Sequence, residues 1–140
     1  MSGQQMDELV KTVISAGLPS VAGLEKLLGT QLKPTQENPF WKFYAFELSG
    51  GPFQRGELRL SLAGDRALLS LSPRDSAPLT ETDLNLRQWG PAVNVDINPQ
   101  IPPEGTDAYT YRLNGMRLSF QFTHVSRRLR TVTAEWGRKD

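Results

Sequence analysis

The stretch TYRLNGMRL, residues 110–118, decides the fold because it predicts a β-hairpin together with its register. Asn-Gly between two alternating runs is typical of a two-residue type I′ turn, which needs positive φ at both central positions. With Asn114 and Gly115 as the turn, Arg112 faces Arg117 across the hairpin. The pairs expected on the other side are Leu113 with Met116, Tyr111 with Leu118, and Tyr109 with Phe120. Like charges directly opposite each other destabilise a strand pair, so the two arginines need an internal carboxylate or an anionic partner.

The register of the last strand answers part of this question. An even-numbered turn after FTHV (122–125) would put Glu135 among the core residues. An odd-numbered turn, for instance residues 125–127, places Glu135 opposite Arg117 and keeps the apolar set inside. The core pairs then expected are Val132 with Phe120, Ala134 with Leu118, and Trp136 with Met116. We predict this second register, in which the arginine pair is partly neutralised from within the sheet.

The same register gathers eight polar residues on one face of the sheet. They are Thr110, Arg112, Arg117, Ser119, Gln121, Thr131, Thr133 and Glu135. One interpretation is the solvated side of a half-buried antiparallel sheet. The other is a partner-binding face, which the preference for arginine over lysine at protein interfaces favours.

The first half of the chain predicts a helical hairpin followed by a meander. Apolar residues recur at helical spacing from Met6 to Ile14, and a second helix is expected between an N-cap at Ser20 and a stop at Gly29. A linker is expected over residues 34–39. Three strands are then expected near residues 40–48, 58–62 and 67–71, of which the first has apolar residues on both faces and should be well covered.

The second half repeats this order. Leu79 and Leu84 form a predicted hydrophobic staple around an N-cap at Thr80, so a short helix is expected over about residues 81–88, before Gly90 and Pro91. Strands are expected at 93–97, in the hairpin, and near 128–136. The predicted fold is α+β in one domain, residues 1–140, with a helical hairpin and a short middle helix on a mostly antiparallel meander sheet of about seven strands. The alternatives are a pseudo-repeat of residues 20–73 and 80–137, or one sheet with the helices on one face.

Composition is typical of an ordinary soluble globular protein, with 38% hydrophobic and 22% charged residues. No apolar run approaches the roughly 20 residues needed to span a bilayer. The first ten residues lack the basic and apolar regions of a secretory signal, so we expect a cytosolic protein. The absence of cysteine excludes disulfides, thiolate zinc sites and cysteine nucleophiles.

Charge is distributed unevenly along the chain. Residues 1–111 hold 9 basic and 13 acidic side chains, which sum to −4, whereas residues 112–140 hold 7 and 2, which sum to +5. The segment SRRLR (126–130) could bind nucleic acid, with Tyr109 or Trp136 stacking on bases. The sequence pI of about 8.1 falls short of the basic character of such domains, so we do not expect a nucleic-acid partner.

Residue types suited to catalysis are sparse. His124 is the only histidine, and it continues an apolar strand face, so we expect it at the edge of the core. No nucleophile elbow, Walker loop or dinucleotide fingerprint occurs. Oxygen ligands at Asn94, Asp96, Asn98, Glu104 and Asp107 could hold a hard cation, but a solvated strand edge explains them. We therefore predict no catalytic residue, metal or cofactor.

Four motifs resemble those of a known class of protein. They are LEKLLG (24–29), GELRL (56–60), TETDL (80–84) and WGP (89–91). The pattern resembles small bacterial domains with the α/β-repeat architecture of β-lactamase-inhibitor proteins, and is similar to immunity proteins encoded beside bacterial polymorphic toxins. The resemblance implies a cytosolic protein that neutralises a cognate toxin by occluding it. These motif residues pack and cap, so no contact residue is carried over.

The partner-binding residues follow from the sheet pattern instead. Those predicted on the polar face are Arg112, Arg117, Gln121, Thr131 and Glu135, and those predicted in the turn are Arg127, Arg128 and Arg130. The first hypothesis is a non-enzymatic protein-binding module without a membrane contact. The second is a ligand-binding or enzymatic domain that uses a cavity near Trp41, Tyr109 and His124. The third is a nucleic-acid binder that uses the three turn arginines.

Overall fold

The structure is a computed structural model that describes residues 2–76, 78–102 and 104–137. Within these residues lie two α-helices, α1 (Ser2–Ser15) and α2 (Val21–Leu28). Two short 3₁₀ turns lie at Glu81–Asp83 and Leu86–Trp89. None of the helices in this part of the chain is long and apolar enough to cross a membrane. The strands are β1 (Lys33–Glu37), β2 (Trp41–Glu47), β3 (Phe53–Ser61), β4 (Ala67–Pro73), β5 (Asn94–Asn98), β6 (Thr106–Leu113), β7 (Met116–Thr123) and β8 (Leu129–Trp136).

All eight strands form one antiparallel sheet in the order β1-β2-β3-β4-β8-β7-β6-β5. Each half of the chain supplies a four-stranded meander that runs inward from its own edge strand, β1 or β5. The two meanders join where β4 pairs with β8. The predicted α+β class with antiparallel pairing is confirmed, although the sheet has eight strands instead of about seven.

The additional strand is β1, which lies where the sequence predicted a linker. All five of its residues are exposed, so it has no alternation of apolar and polar positions. It contains Pro34, and its register against β2 shifts between Pro34 and Gln36. Such a strand forms at a sheet edge by pairing its backbone with a neighbour, which is also where proline is tolerated.

The core lies between the helices and one face of the sheet. Met6, Val10 and Val13 of α1 are buried, and α2 adds Leu24 to the same hydrophobic cluster. Side chains of β4, β7 and β8 lie against α1 across a small internal gap. The described helices therefore share one face of the sheet. We call the opposite face the open face.

Helix α2 begins and ends as predicted. The Ser20 hydroxyl accepts a hydrogen bond from the Gly23 N–H at 3.0 Å. At the other end Gly29 has φ of +68°, and its N–H donates to the Glu25 carbonyl at 2.8 Å. A left-handed glycine of this kind satisfies a carbonyl that the helix leaves without a partner.

The predicted middle helix over residues 81–88 is wrong as a continuous helix. Leu79 and Leu84 are buried, as expected of a staple, and the Thr80 N–H donates to Asp83 Oδ2 at 2.8 Å. Leu84 then takes an extended conformation, with φ of −109° and ψ of 150°, which ends the first 3₁₀ turn. The capping residues start a helix here, but one turn does not repay the cost of helix nucleation.

The 110–118 hairpin has the predicted register and the predicted turn residues, Asn114 and Gly115, but not the predicted turn type. Arg112 pairs with Arg117 and Leu113 with Met116. Gly115 has φ of +69°, whereas Arg127 is the one described residue other than glycine with positive φ. Asn114 therefore does not adopt the type I′ conformation, and glycine alone supplies the left-handed residue.

Strand β8 also has the predicted register, with Glu135 opposite Arg117. The sequence predicted this register through an odd-numbered turn, but the structure produces it in a different way. The Thr123 N–H donates to the Arg128 carbonyl at 2.8 Å and so closes the loop between β7 and β8. Residues 124–127 lie between these two, so the loop has an even number of residues. The register then shifts because Gln121 pairs with Thr131 and Phe122 with Leu129, which leaves Arg130 as the extra residue of a bulge.

Candidate functional site

The open face presents ordered rows of side chains across the sheet. One row consists of Phe43, Arg59, Leu68, Glu135, Arg117 and Arg112. The next consists of Ala45, Glu57, Ser70, Thr133, Ser119 and Thr110. Gln121 and Thr131 pair one step further along β7 and β8. The register therefore brings together the eight polar residues that the sequence placed on one face.

Hydrogen bonds and one ion pair tie neighbouring strands together on this face. The hydroxyl oxygens of Thr110 and Ser119 lie 2.9 Å apart. The Thr131 hydroxyl donates to Gln121 Oε1 at 3.1 Å. Near the middle of the sheet, Glu135 Oε2 lies 3.7 Å from Arg66 Nη2. These contacts hold the polar side chains in defined positions.

The β2 end of the open face combines aromatic rings with arginines. The guanidinium of Arg66 lies 5.3 Å from the ring centre of Trp41, and that of Arg59 lies 5.0 Å from the ring centre of Phe43. Both distances are typical of cation–π contacts. Phe40, just before β2, is 73% exposed. Strand β2 was predicted to be well covered on both faces, but on the open face arginines, not another layer, cover its rings.

A recess of about 770 Å³ lies on the open face between β1 and β4. Its charged lining consists of Lys33, Arg55, Glu47 and Glu57, and Ala45 supplies apolar surface. The volume falls within the range of about 300–1,000 Å³ that is typical of ligand pockets. The open face is thus concave at this end.

A second notable feature is the set of contacts around Arg127, which we call the Arg127 cluster. The guanidinium donates to Asp107 Oδ2 at 2.5 Å, to Glu81 Oε2 at 2.5 Å through Nη2 and at 3.1 Å through Nε, and to the Tyr109 hydroxyl at 2.6 Å. It also lies 5.8 Å from the ring centre of Phe122. All five N–H donors of an arginine form a fixed fork, and this cluster uses most of them. Arg127 therefore links β6, β7 and the first 3₁₀ turn.

The cluster is largely removed from water. The side chain of Asp107 is 8% exposed and that of Arg127 is 28% exposed. A hydrogen bond from His124, assisted by Arg127, lowers the pKa of Asp107 despite its burial. Burial alone would lower the pKa of Arg127, but its hydrogen bonds with Glu81 and Asp107 outweigh burial and raise it. The φ of Arg127 is +57°, a strained conformation that this set of contacts stabilises.

His124 lies outside the core instead of at its edge. Strand β7 ends at Thr123, and the side chain of His124 is 52% exposed. Its Nδ1 lies 2.9 Å from Asp107 Oδ1 and donates to that carboxylate. The nearby Ser126 hydroxyl donates to Glu104 at 2.7 Å and not to His124. The hydroxyl is thus not aligned as a nucleophile with the histidine and carboxylate.

Glu104 fastens the loop between β7 and β8. Its Oε1 accepts the N–H groups of Val125 and Ser126 at 3.1 and 2.7 Å, as well as the Ser126 hydroxyl. These hydrogen bonds, those from Ser126 foremost, lower the pKa of Glu104 to about 2. Glu104 and Asp107 thus serve the loop and the Arg127 cluster. Among the residues that the structure describes, no group of three or more acidic or histidine side chains is placed to hold a metal.

The arginines of SRRLR do not form one surface. Arg127 turns into its cluster, whereas Arg128 and Arg130 line a different pocket. Trp136 is 5% exposed and Tyr109 packs against Phe122 and Arg127, so neither ring is presented for stacking on a base. The structure thus separates the residues of the nucleic-acid hypothesis.

The residues of the proposed cavity are also separated. Trp41 belongs to the open face, where it stacks on Arg66 and lines a shallow recess with Phe40. Tyr109 and His124 belong to the Arg127 cluster, with the Tyr109 ring on the core side of β6. The structure therefore does not bring these three residues into one cavity.

Sequence reasoning missed the acidic partners of Arg127 and the arginines over β2. Glu81 lies 46 residues before Arg127, and no local pattern connects the two. Arg59, in contrast, could have been found by pairing the strand near 40–48 with the one near 58–62, which puts Arg59 opposite Phe43. The aromatic end of the open face could therefore have been predicted from the sequence, whereas the Arg127 cluster could not.

No protein-family model, curated protein or solved structure matches this chain.

Proposed function

We propose that the protein is a non-enzymatic binding module whose open face covers an acidic region of a partner protein. One observation carries the proposal. Away from the helices, a hydrogen-bonded sheet displays arginines and half-buried aromatic rings in regular rows, such as the row from Phe43 to Arg112. A structured surface of this composition suits recognition because little side-chain freedom is lost on binding.

The residue types agree with a protein partner. Arginine, tryptophan and phenylalanine are enriched at protein interfaces, whereas lysine is depleted. The face formed by the rows from Phe43 to Arg112 and from Ala45 to Thr110 contains three arginines and two glutamates, of which Glu57 lies 3.3 Å from Arg59. Its charge therefore favours a surface that carries carboxylates, with the aromatic rings near Phe40 as candidate anchors.

The more specific proposal is an immunity protein that neutralises a bacterial toxin by occlusion. It rests on the resemblance of the capping and packing motifs, together with the open face. In such a mechanism the sheet face would lie across the toxin's active site, and Arg112 and Arg117 would pair with its carboxylates. No reaction on this chain is required.

The test is affinity capture from a lysate of the source cell with three tagged proteins, of which the two variants have the same net charge. The first is the unchanged chain. The second, the open-face pair, carries Arg112→Gln and Arg117→Gln. The third, the helix-face pair, carries Lys11→Gln and Lys26→Gln at exposed positions of α1 and α2. Glutamine is used so that no second carboxylate is placed opposite Glu135.

The proposal expects one stoichiometric protein with the unchanged chain and the helix-face pair, and its loss with the open-face pair. Capture of no protein, or equal capture by all three, contradicts it. The captured protein is then expressed in growing cells. Immunity is supported if the captured protein arrests growth and the unchanged chain, but not the open-face pair, relieves the arrest. A harmless partner contradicts immunity and supports only the broader proposal of a binding module.

A further inference from the structure

A pocket of about 440 Å³ lies at the end of the sheet where β3, β4 and β8 meet the loops after β4 and β7. We call it the basic pocket. Its charged lining consists of Arg55, Arg74, Arg128, Arg130 and Asp75. Four arginines and one aspartate therefore line the pocket.

None of these four arginines forms an ion pair with a carboxylate within the described residues. Arg74 donates to the carbonyls of Leu48, Gly51 and Phe53 at 2.7 to 3.0 Å. Arg128 donates to the Asp75 carbonyl at 3.3 Å. Carbonyl oxygens orient a guanidinium without cancelling its charge, so the pocket keeps an excess of positive charge.

Donors remain for a ligand. Arg130 uses one Nη1 contact, to the Pro102 carbonyl at 3.2 Å, and an arginine has five N–H groups. The Ser72 hydroxyl also lines the pocket. Three other carboxylates are already engaged, since Glu81 and Asp107 bind Arg127 and Glu104 binds Ser126. Asp75 is then the one carboxylate of the described pocket lining, against four arginines.

We propose that the basic pocket binds a phosphate group, either free phosphate or a phosphomonoester. Arginine donors suit a tetrahedral oxyanion, which accepts bidentate hydrogen bonds and carries up to two negative charges. Arg55 and Ser72 also line the larger recess on the open face. The remainder of a phosphomonoester would therefore extend from the basic pocket into that recess.

The proposal concerns a small anion and is tested without the partner protein, although Arg55 and Ser72 are shared with the open-face recess. The probe is inorganic phosphate, titrated at low and constant ionic strength and followed by amide chemical shifts. A second titration uses glycerol phosphate, a phosphomonoester, under the same conditions. Equal affinity for both identifies free phosphate as the ligand, and tighter binding of the ester identifies a phosphomonoester.

The pocket pair carries Arg128→Gln and Arg130→Gln, and its matched control carries Lys11→Gln and Arg87→Gln at exposed positions. We expect saturable binding by the unchanged chain and the control, with shifts at Ser72 and Thr131, and a loss of about 10-fold or more in affinity with the pocket pair. If the pocket pair does not fold, Arg55→Gln with Ser72→Ala replaces it. Absence of saturable binding, or equal affinity of the pocket variant and the control, overturns the proposal.

Discussion

Arg127 and the open-face arginines Arg112 and Arg117 look alike in the sequence but occupy different environments. Arg127 contacts two carboxylates and a tyrosine hydroxyl next to the core, and its side chain is 28% exposed. Arg112 and Arg117 lie on the open face, on a row that also holds Glu135. The comparison shows that an arginine in a basic segment can belong to the fold instead of to a binding surface.

The physical reason is the cost of leaving a buried charge without its partner. If Arg127 is removed, Asp107 stays almost fully buried and loses a charged neighbour. If Arg112 is removed, water replaces it at an exposed position, which costs little. Substitution of Arg127 should therefore lower the free energy of unfolding much more than substitution of Arg112 or Arg117.

The largest effect is expected from Arg127→Met. It should lower the free energy of unfolding by about 3 kcal/mol, because the carboxylates of Asp107 and Glu81 lose their cation. Urea denaturation measures the change. The matched variant Arg130→Met removes an exposed arginine that donates to one carbonyl, and should change the value by less than about 0.5 kcal/mol. Equal effects of the two substitutions would contradict the structural role of the Arg127 cluster.

A smaller effect is expected from Tyr109→Phe. The substitution keeps the ring over Arg127 and removes the hydroxyl that accepts its hydrogen bond at 2.6 Å. A hydrogen bond to a charged group contributes about 1.5 kcal/mol, so a loss near this value is expected in urea denaturation. Tyr44→Phe, on the other half of the sheet, is the control. No change with Tyr109→Phe would show that the hydroxyl is not part of the cluster.

The pH dependence of stability should reveal the role of Glu104. Its pKa in the folded protein is about 2, below the usual 4.5, so it stabilises the fold fully above about pH 4.5. This contribution is lost as the pH falls from 4.5 towards 2. The difference in unfolding free energy between the unchanged chain and Glu104→Gln should therefore be largest near pH 7 and shrink below pH 4.5. A difference that stays constant across this range would contradict the assignment, and Glu37→Gln on the exposed strand β1 serves as the control.

The smallest effect on stability is expected from the open-face pair, Arg112→Gln with Arg117→Gln. Arg112 is exposed and Arg117 is half-buried. An ion pair at an exposed position contributes about 0 to 1 kcal/mol, so the thermal midpoint should fall much less than with Arg127→Met. Differential scanning calorimetry measures it. A loss as large as that of Arg127→Met would make these arginines part of the fold and weaken their assignment to binding.

Much of the second half of the sheet could be predicted from the sequence, because local signals there agree. Asn114-Gly115 sets the hairpin register, and the apolar alternation of β8 allows only the register that puts Glu135 opposite Arg117. The bulge at Arg130 could not be predicted, because an even-numbered loop followed by a bulge gives the same strand register as an odd-numbered turn. Strand β1 could not be predicted because all five of its residues are exposed and give no alternating pattern. Only its pairing with β2 makes this segment a strand.

The candidate site was predictable to a lesser degree. The polar residues of β6, β7 and β8 follow from alternation once the register is known. The Arg127 cluster depends on Glu81, which the fold brings from the segment between β4 and β5. Contacts between residues so far apart in the chain have no signature in a single sequence.

The most direct test of the central claim, that the open face binds a partner protein, is the dissociation constant of the purified complex. It is measured by calorimetry for the unchanged chain, the open-face pair and the helix-face pair. The account predicts about 10-fold or greater weakening with the open-face pair and less than about twofold change with the helix-face pair. Equal affinity of all three, or weakening confined to the helix-face pair, would contradict it.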